Sequence, residues 1–273
     1  MKKCFTVNCM RTNEDFDGYE MLIRENIYQA VELFYPYNVS DVQRNLYTNR
    51  VNKLIKMAND ENINLEVVLH LPHGPKNDLL GNQLDVLSND VMNRMKKAID
   101  YANLFNVKKL TLHLGAYKGY NTREEAINEV ITLVQDLCDY AHKYNMFIMI
   151  ENMPGYNELG YSPEEILYII KRVNKDNIKF ILDTGHAHCS SYPLSEYVNL
   201  LNEYLYHMHF NDNNGERDEH KRVNSGTIDF KKLFEELNKI GYKELHCMEV
   251  LFKTYQDLID YAKDIDIYDI FYK

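Results

Sequence analysis

The sequence predicts an α/β protein built as a (β/α)8 TIM barrel, and three observations carry that prediction. Short β-rich runs alternate with longer helical patterns along the whole chain, the sign of βα units around a parallel sheet. Eight such runs fall within 273 residues, which is the size and rhythm of a barrel. Polar residues recur at the C-terminal ends of these runs, where the strands of a parallel barrel converge on one mouth. A doubly wound open sheet shows similar alternation and is the competing architecture. No linker, internal repeat or low-complexity tract interrupts the chain, so residues 1–273 read as one domain.

The strand candidates, in order, are Cys4 to Cys9, Ala30 to Tyr35, Leu65 to Leu71, Lys109 to Leu114, Met146 to Asn152, Lys179 to Asp183, Tyr206 to Asn211 and Glu244 to Val250. Helical patterns lie around Tyr19 to Tyr28, Arg44 to Asn59, Asp90 to Asn106, Arg123 to Tyr144, Pro163 to Asn174, Leu194 to Tyr204, Phe230 to Ile240 and Tyr255 to Asp264. Two of them carry explicit start signals. Thr122 with Glu125, and Ser162 with Pro163 and Glu165, each read as an N-cap followed by a capping-box acid.

Composition narrows the class. With 45% hydrophobic and 26% charged residues, 11 Gly and 6 Pro, the chain is neither collagenous nor low-complexity nor disordered. A chain this long buries roughly three quarters of its surface on folding and needs no staples. Five cysteines form no CxxC pair, and their odd number argues against a disulfide framework and for a cytoplasmic setting. The absence of a signal pattern and of any run of 18 apolar residues speaks against a membrane partner. Forty-one acidic against 31 basic residues, a formal charge of -10, speak against a broad nucleic-acid surface. Homo-oligomerisation is left open.

The strand ends carry the chemistry. His70, His113, Glu151, Asp183, His209 and Glu249 close six different strand candidates. Side chains alternate across a strand, so if Glu151 points into the barrel then Met149 does too, while Ile148 and Ile150 face the helices. The same parity couples Ile181 with Asp183 and Cys247 with Glu249. Carboxylates and imidazoles gathered in one cavity are costly unless compensated, and a divalent metal is the usual compensation. Mixed nitrogen and oxygen donors indicate Mn, Co, Zn or Mg. His186, Asp218 and His220 lie in loops that reach the same mouth. His207 shares the inward parity one layer deeper and reads as a hydrogen-bonded interior histidine. His246 has outward parity and His142 sits on a helix, so both read as structural or exposed. The 22 tyrosines read as packing residues.

Taken with their order and spacing, several segments resemble the xylose isomerase-like TIM-barrel superfamily, which includes sugar-phosphate isomerases and epimerases and the endonuclease IV type of AP endonuclease. They are HLP at His70 to Pro72, HLG at His113 to Gly115, ENMPG at Glu151 to Gly155, LDTGHAH at Leu182 to His188, HFNDNNGERDEH at His209 to His220, SGTIDF at Ser225 to Phe230, and ME at Met248 to Glu249. The resemblance to the isomerases implies one divalent metal on Glu151, Asp183, His209 and Glu249, with the two glutamates also transferring protons. The resemblance to the endonucleases implies three zinc ions on nine ligands, with matching residue types at His70, His113, Glu151, Asp183, His186, His209, Asp218, His220 and Glu249. One to three metals per chain are therefore implied. On the isomerase reading, His70, His113 and His186 orient substrate hydroxyls. Two departures matter: Leu71-Pro72-His73-Gly74 replaces the endonucleases' proline-tyrosine step, and Asn224 and Ser225 stand where the isomerase branch usually has Gly-x-Gly.

The leading expectation is a metal-dependent isomerase or epimerase acting on a small sugar, sugar phosphate or related polyol ketone by glutamate-mediated proton transfer through an enediolate. The alternative is a multinuclear zinc phosphoesterase that cleaves DNA at AP sites. Charge separates them: one dication with Glu151, Asp183 and Glu249 leaves about -1, suited to a polyol, whereas three dications against four carboxylates leave about +2, suited to phosphate.

Overall fold

The computed structural model describes residues 1–7, 16–37, 39–72, 89–117 and 120–272. Asn8 and Cys9 of the first strand candidate, and His73 and Gly74 after His70, lie outside the described residues. The elements run β1 (Lys2–Val7), α1 (Phe16–Arg24), β2 (Ala30–Phe34), α2 (Asp41–Asp60), β3 (Glu66–His70), α3 (Asn89–Asn103), β4 (Lys109–Leu112), α4 (Arg123–His142) and β5 (Phe147–Glu151). They continue with α5 (Pro163–Val173), β6 (Ile178–Asp183), α6 (Thr184–Cys189), α7 (Leu194–Leu200), β7 (Leu205–Phe210), α8 (Phe230–Lys239), β8 (Leu245–Met248) and α9 (Tyr255–Asp266). All eight strands pair in parallel with their sequence neighbours, and β8 closes on β1. The open sheet is thereby eliminated.

The expected alternation of faces holds. Cys4, Ala30, Val68, Met149, Ile181, Leu245 and Cys247 form one buried cluster inside the barrel. Ile148, Ile150, Phe180, Leu182 and Met208 belong instead to the larger core between strands and helices. Thr122 and Ser162 accept the amides of Glu125 and Glu165, as N-caps do. One helix was not expected from the sequence: α6 begins directly after β6 because Asp183, the last strand residue, caps it by accepting the His186 amide at 2.6 Å. Six residues are too few to show a helical period.

At the opposite end of the barrel, helices α1 to α5 are followed by Asn26, Asn62, Asn106, Asn145 and Asn174, all with φ between 49 and 56°. Asparagine tolerates this left-handed turn better than other side-chain-bearing residues, so a chain with few glycines reverses direction on Asn. No helix among the described residues is long and apolar enough to cross a membrane.

His246, on the outward face of β8, is buried and stacked on Phe210 and Phe234, with ring centroids 5.2 and 5.8 Å away. It is structural rather than exposed. Burial, and then the nearby N-terminal ammonium, push its imidazole down to about 3. As pH falls, the unfolded chain takes up a proton near 6.5 that the folded chain refuses until about 3, so stability is lost across that window. The expected loss between pH 7.5 and 3.5 is about 4 kcal/mol. Denaturant titrations of wild type and His246→Phe across this range check it: the difference in stability between the two should shift by that amount, and parallel pH curves would refute it.

Candidate metal centre

The strand ends place the polar side chains in one buried mouth. Asp183 and His209 are register partners on β6 and β7, and Glu151 ends β5 beside Ile181. His113 and Glu249 follow β4 and β8 by one residue. Glu151, Asp183 and His209 are fully buried, and His70 and His186 nearly so.

The nine residues singled out in the sequence resolve into three donor sets: His70, His113 and Glu151; Glu151, Asp183, His209 and Glu249; and His186, Asp218 and His220. Within each set the donor atoms lie within 4.8 Å of one another. Glu151 joins two sets, its Oε2 lying 3.0 Å from His113 Nε2 and 3.6 Å from His70 Nε2 while Oε1 lies 3.1 Å from His209 Nδ1. His209 Nδ1 is also 2.9 Å from Glu249 Oε2 and 3.9 Å from Asp183 Oδ2. In the outer set, Asp218 Oδ2 stands 2.9 Å from His220 Nε2 and 3.5 Å from His186 Nε2.

Two features of these sets suit a divalent ion. The first is how the histidines are oriented. A backbone carbonyl only accepts, so His70, His186 and His220 must donate from Nδ1 to the carbonyls of Leu71, Asn152 and Glu249 at 2.8, 2.9 and 3.0 Å. Each therefore turns Nε2 toward its donor set, as metal-ligating histidines do. The second is two carboxylate oxygens, Glu151 Oε2 and Asp218 Oδ1, which are buried without a hydrogen-bond partner among the described residues. Donor atoms crowd Glu151 Oε2 without the alignment of an N–H···O bond, as ligands do around a cation.

Electrostatics follow from this crowding. Burial pushes the Glu151 carboxyl up, but the imidazoles of His209 and His113 outweigh it and hold it well below the usual carboxylate range. Glu249 is likewise raised by burial and lowered more by His209, reaching about 2. Asp183 goes the other way, to about 7, because burial and then the charges of Glu151, Glu249 and Asp218 outweigh His186. Burial lowers His220, yet Asp218 and Glu249 lift it to about 9. Protons on the imidazoles thus supply positive charge that an incoming cation would displace.

Neighbouring residues hold the set in place. Asn152 clasps the Asp183 backbone, donating to its carbonyl at 2.9 Å and accepting its amide at 2.8 Å. Asn211 Nδ2 donates to Asp183 Oδ2 at 2.7 Å. Gly185 permits this approach, since a Cβ there would stand 1.9 Å from Asn211 Oδ1. After β7, the Asp212 carboxylate accepts the amides of Gly226 at 2.7 Å, Asn213 at 2.8 Å and Ile228 at 3.2 Å. Asn224 takes the left-handed conformation, φ 67°, that the usual glycine would supply, and Tyr268 donates to its side-chain oxygen. His207 lies in the barrel interior and is hydrogen-bonded, as its parity implies.

Sequence reasoning missed Glu32. It is fully buried in the middle of β2 and accepts from Thr111 Oγ1, His207 Nε2 and His209 Nε2 at 2.7, 2.9 and 2.8 Å. The signal was present as a lone carboxylate in Ala30-Val31-Glu32-Leu33-Phe34, with the inward parity of Ala30.

Comparison with known proteins adds a family and several likenesses. A family model described as xylose isomerase-like TIM barrel matches residues 22–265. An uncharacterised protein of Methanocaldococcus jannaschii is 29% identical over 184 residues, 65% of this chain and 62% of its own length. The chain therefore spans less than two thirds of that relative. A probable endonuclease 4 of Acholeplasma laidlawii is 24% identical over 225 residues, 75% of this chain and 74% of its own. A solved D-tagatose 3-epimerase-like protein superposes with a TM-score of 0.77 at 24% identity, covering 98% of this chain and 97% of that one, a likeness of fold.

Proposed function

We propose, from the premise that this chain belongs to the xylose isomerase-like TIM-barrel family, that it is a divalent-metal-dependent isomerase or epimerase of a small sugar, sugar phosphate or related polyol ketone. One observation carries the reading: Glu151 and Glu249 flank the same imidazole nitrogen, His209 Nδ1, at 3.1 and 2.9 Å. Glu151, Asp183, His209 and Glu249 would hold one ion, Mn, Co, Zn or Mg. Bound there, such an ion would supply Lewis-acid polarisation of a carbonyl and so acidify the adjacent C–H. Both glutamates are ionised near neutral pH, so either can take the C–H proton; the opposite carboxylate first picks up a proton from a substrate hydroxyl or solvent and then delivers it at the next carbon or on the opposite face. His70, His113 and His186 line the same mouth and orient substrate hydroxyls.

The second reading, a trinuclear phosphoesterase acting on DNA, is favoured by the two further donor sets around His113 and Asp218. The charge of -10 weighs against it, because a nuclease must also grip a polyanion. The two readings separate in one pair of assays. Protein loaded with each metal in turn is expected to exchange protons next to the carbonyl of ketohexoses with D2O, read by proton NMR. An abasic-site duplex at low salt with Zn or Mn is expected to stay intact. Efficient, chelator-sensitive incision would overturn the isomerase reading and promote the hydrolase.

A further inference from the structure

Below the mouth, one oxygen of a buried carboxylate meets two imidazoles. Glu32 Oε2 receives His207 Nε2 at 2.9 Å and His209 Nε2 at 2.8 Å, and its Oε1 receives Thr111 Oγ1 at 2.7 Å. Carboxylate, imidazoles and hydroxyl come from β2, β7 and β4, so three strands across the barrel converge on this group. Glu32, His207, His209 and Thr111 are all fully buried. An isolated charge in such a place is strongly unfavourable, and an apolar residue would fill the same volume at less cost. Its presence calls for a role that an apolar residue cannot fill.

The orientation of His209 supplies that role. An ionised carboxylate only accepts, so His209 Nε2 must carry the proton that bonds to Glu32. That leaves Nδ1 as the nitrogen facing Glu151 and Glu249. The other histidines of the mouth with a backbone anchor are fixed from Nδ1 and present Nε2. His209 is turned the opposite way, and Glu32 is the group that turns it. His207 has a different share: among the described residues its Nδ1 is buried without a hydrogen-bond partner, and its hydrogen bond through Nε2 steadies Glu32 from the side away from the mouth.

We infer that Glu32 is a positioning residue for the metal centre: it sets the tautomer and ring orientation of His209 so that Nδ1 binds the ion, while Thr111 and His207 hold Glu32 in place. The inference rests on the metal reading of the site given above. A carboxylate behind a metal-bound imidazole also makes that nitrogen a better donor.

The test is a double-mutant cycle read as metal affinity, with Co(II) titrated against a competing chelator and followed by absorbance. Glu32→Met, close in volume and unable to accept, is expected to weaken binding about 10- to 100-fold. His209→Asn weakens it on its own account. In the His209→Asn background, adding Glu32→Met is expected to change affinity by less than about threefold, because Glu32 acts through the imidazole that is no longer there. Losses that multiply in the double variant would show a general structural role and overturn the inference, as would a folded Glu32→Met protein that binds Co(II) like wild type. If Glu32→Met does not fold, the same cycle is run with Glu32→Gln, whose single carbonyl oxygen serves one imidazole at a time. A smaller loss, about 3- to 10-fold, is then expected to vanish in the His209→Asn background, and its persistence there overturns the inference. Wild type that fails to bind Co(II) overturns the metal reading and this inference together, whereas tight wild-type binding unaffected by Glu32 overturns this inference alone.

Discussion

Replacing Glu249 or Glu151 with glutamine is expected to lower turnover by about 10³-fold while leaving the barrel folded. The amide keeps the shape of the carboxylate but takes up no proton near neutral pH. Both carboxyls are held below their usual range by His209, so each is a base in the resting protein. Each brings a carboxylate oxygen to within 3.1 Å of His209 Nδ1, so both border the place proposed for the substrate. Loss in both single variants is the signature of a two-base exchange, because removing either partner stops the proton from making the round trip. Turnover is read at saturating metal, with metal content and circular dichroism recorded for each variant. Near-full turnover in either would refute the two-glutamate mechanism.

Chelation is expected to lower the melting temperature by about 10 °C. An ion that binds only the folded chain stabilises it by about 4 kcal/mol when present at a thousand times its dissociation constant. For a domain of this size each kcal/mol is worth roughly 2–4 °C. The site has reason to depend on such an ion, because Glu151, Asp183, Glu249 and Asp218 crowd one buried mouth. Their mutual repulsion, added to burial, drives the Asp183 carboxyl up to about 7. Scanning calorimetry before and after chelator treatment measures the drop, and re-adding the metal should reverse it. A melting temperature insensitive to both steps would sink the metal reading.

The barrel and the position of its mouth were legible because they follow from local rules. Inward Met149 and Glu151 and outward Ile148 and Ile150 are a period of two, and the caps at Thr122 and Ser162 are written in four-residue patterns. What was not legible depends on distance across the barrel. The division of nine polar residues into three donor sets needs the loop that brings Asp218 to His186, residues 32 positions apart in sequence, and no periodicity reports that. Glu32 escaped because attention to strand ends passes over a carboxylate in mid-strand, whose partners lie 79, 175 and 177 residues away. The helix α6 escaped because its N-cap, Asp183, is also the last residue of β6, so no residue between strand and helix marks the boundary.

After β7, the backbone amides of Gly226, Asn213 and Ile228 are not free to hold a phosphorylated sugar. Barrels of this kind often seat a phosphoryl group on backbone amides near the seventh and eighth strands. Here the amides of Gly226, Asn213 and Ile228 already point at the chain's own Asp212, which acts as a built-in anion. Gly226 is packed so closely on the Asn213 carbonyl, 2.2 Å from where a Cβ would stand, that the loop closes around this carboxylate rather than around a guest. An incoming phosphate would find these three amides already taken. On the reading proposed above, any grip on a charged substrate has to come from groups other than these three amides.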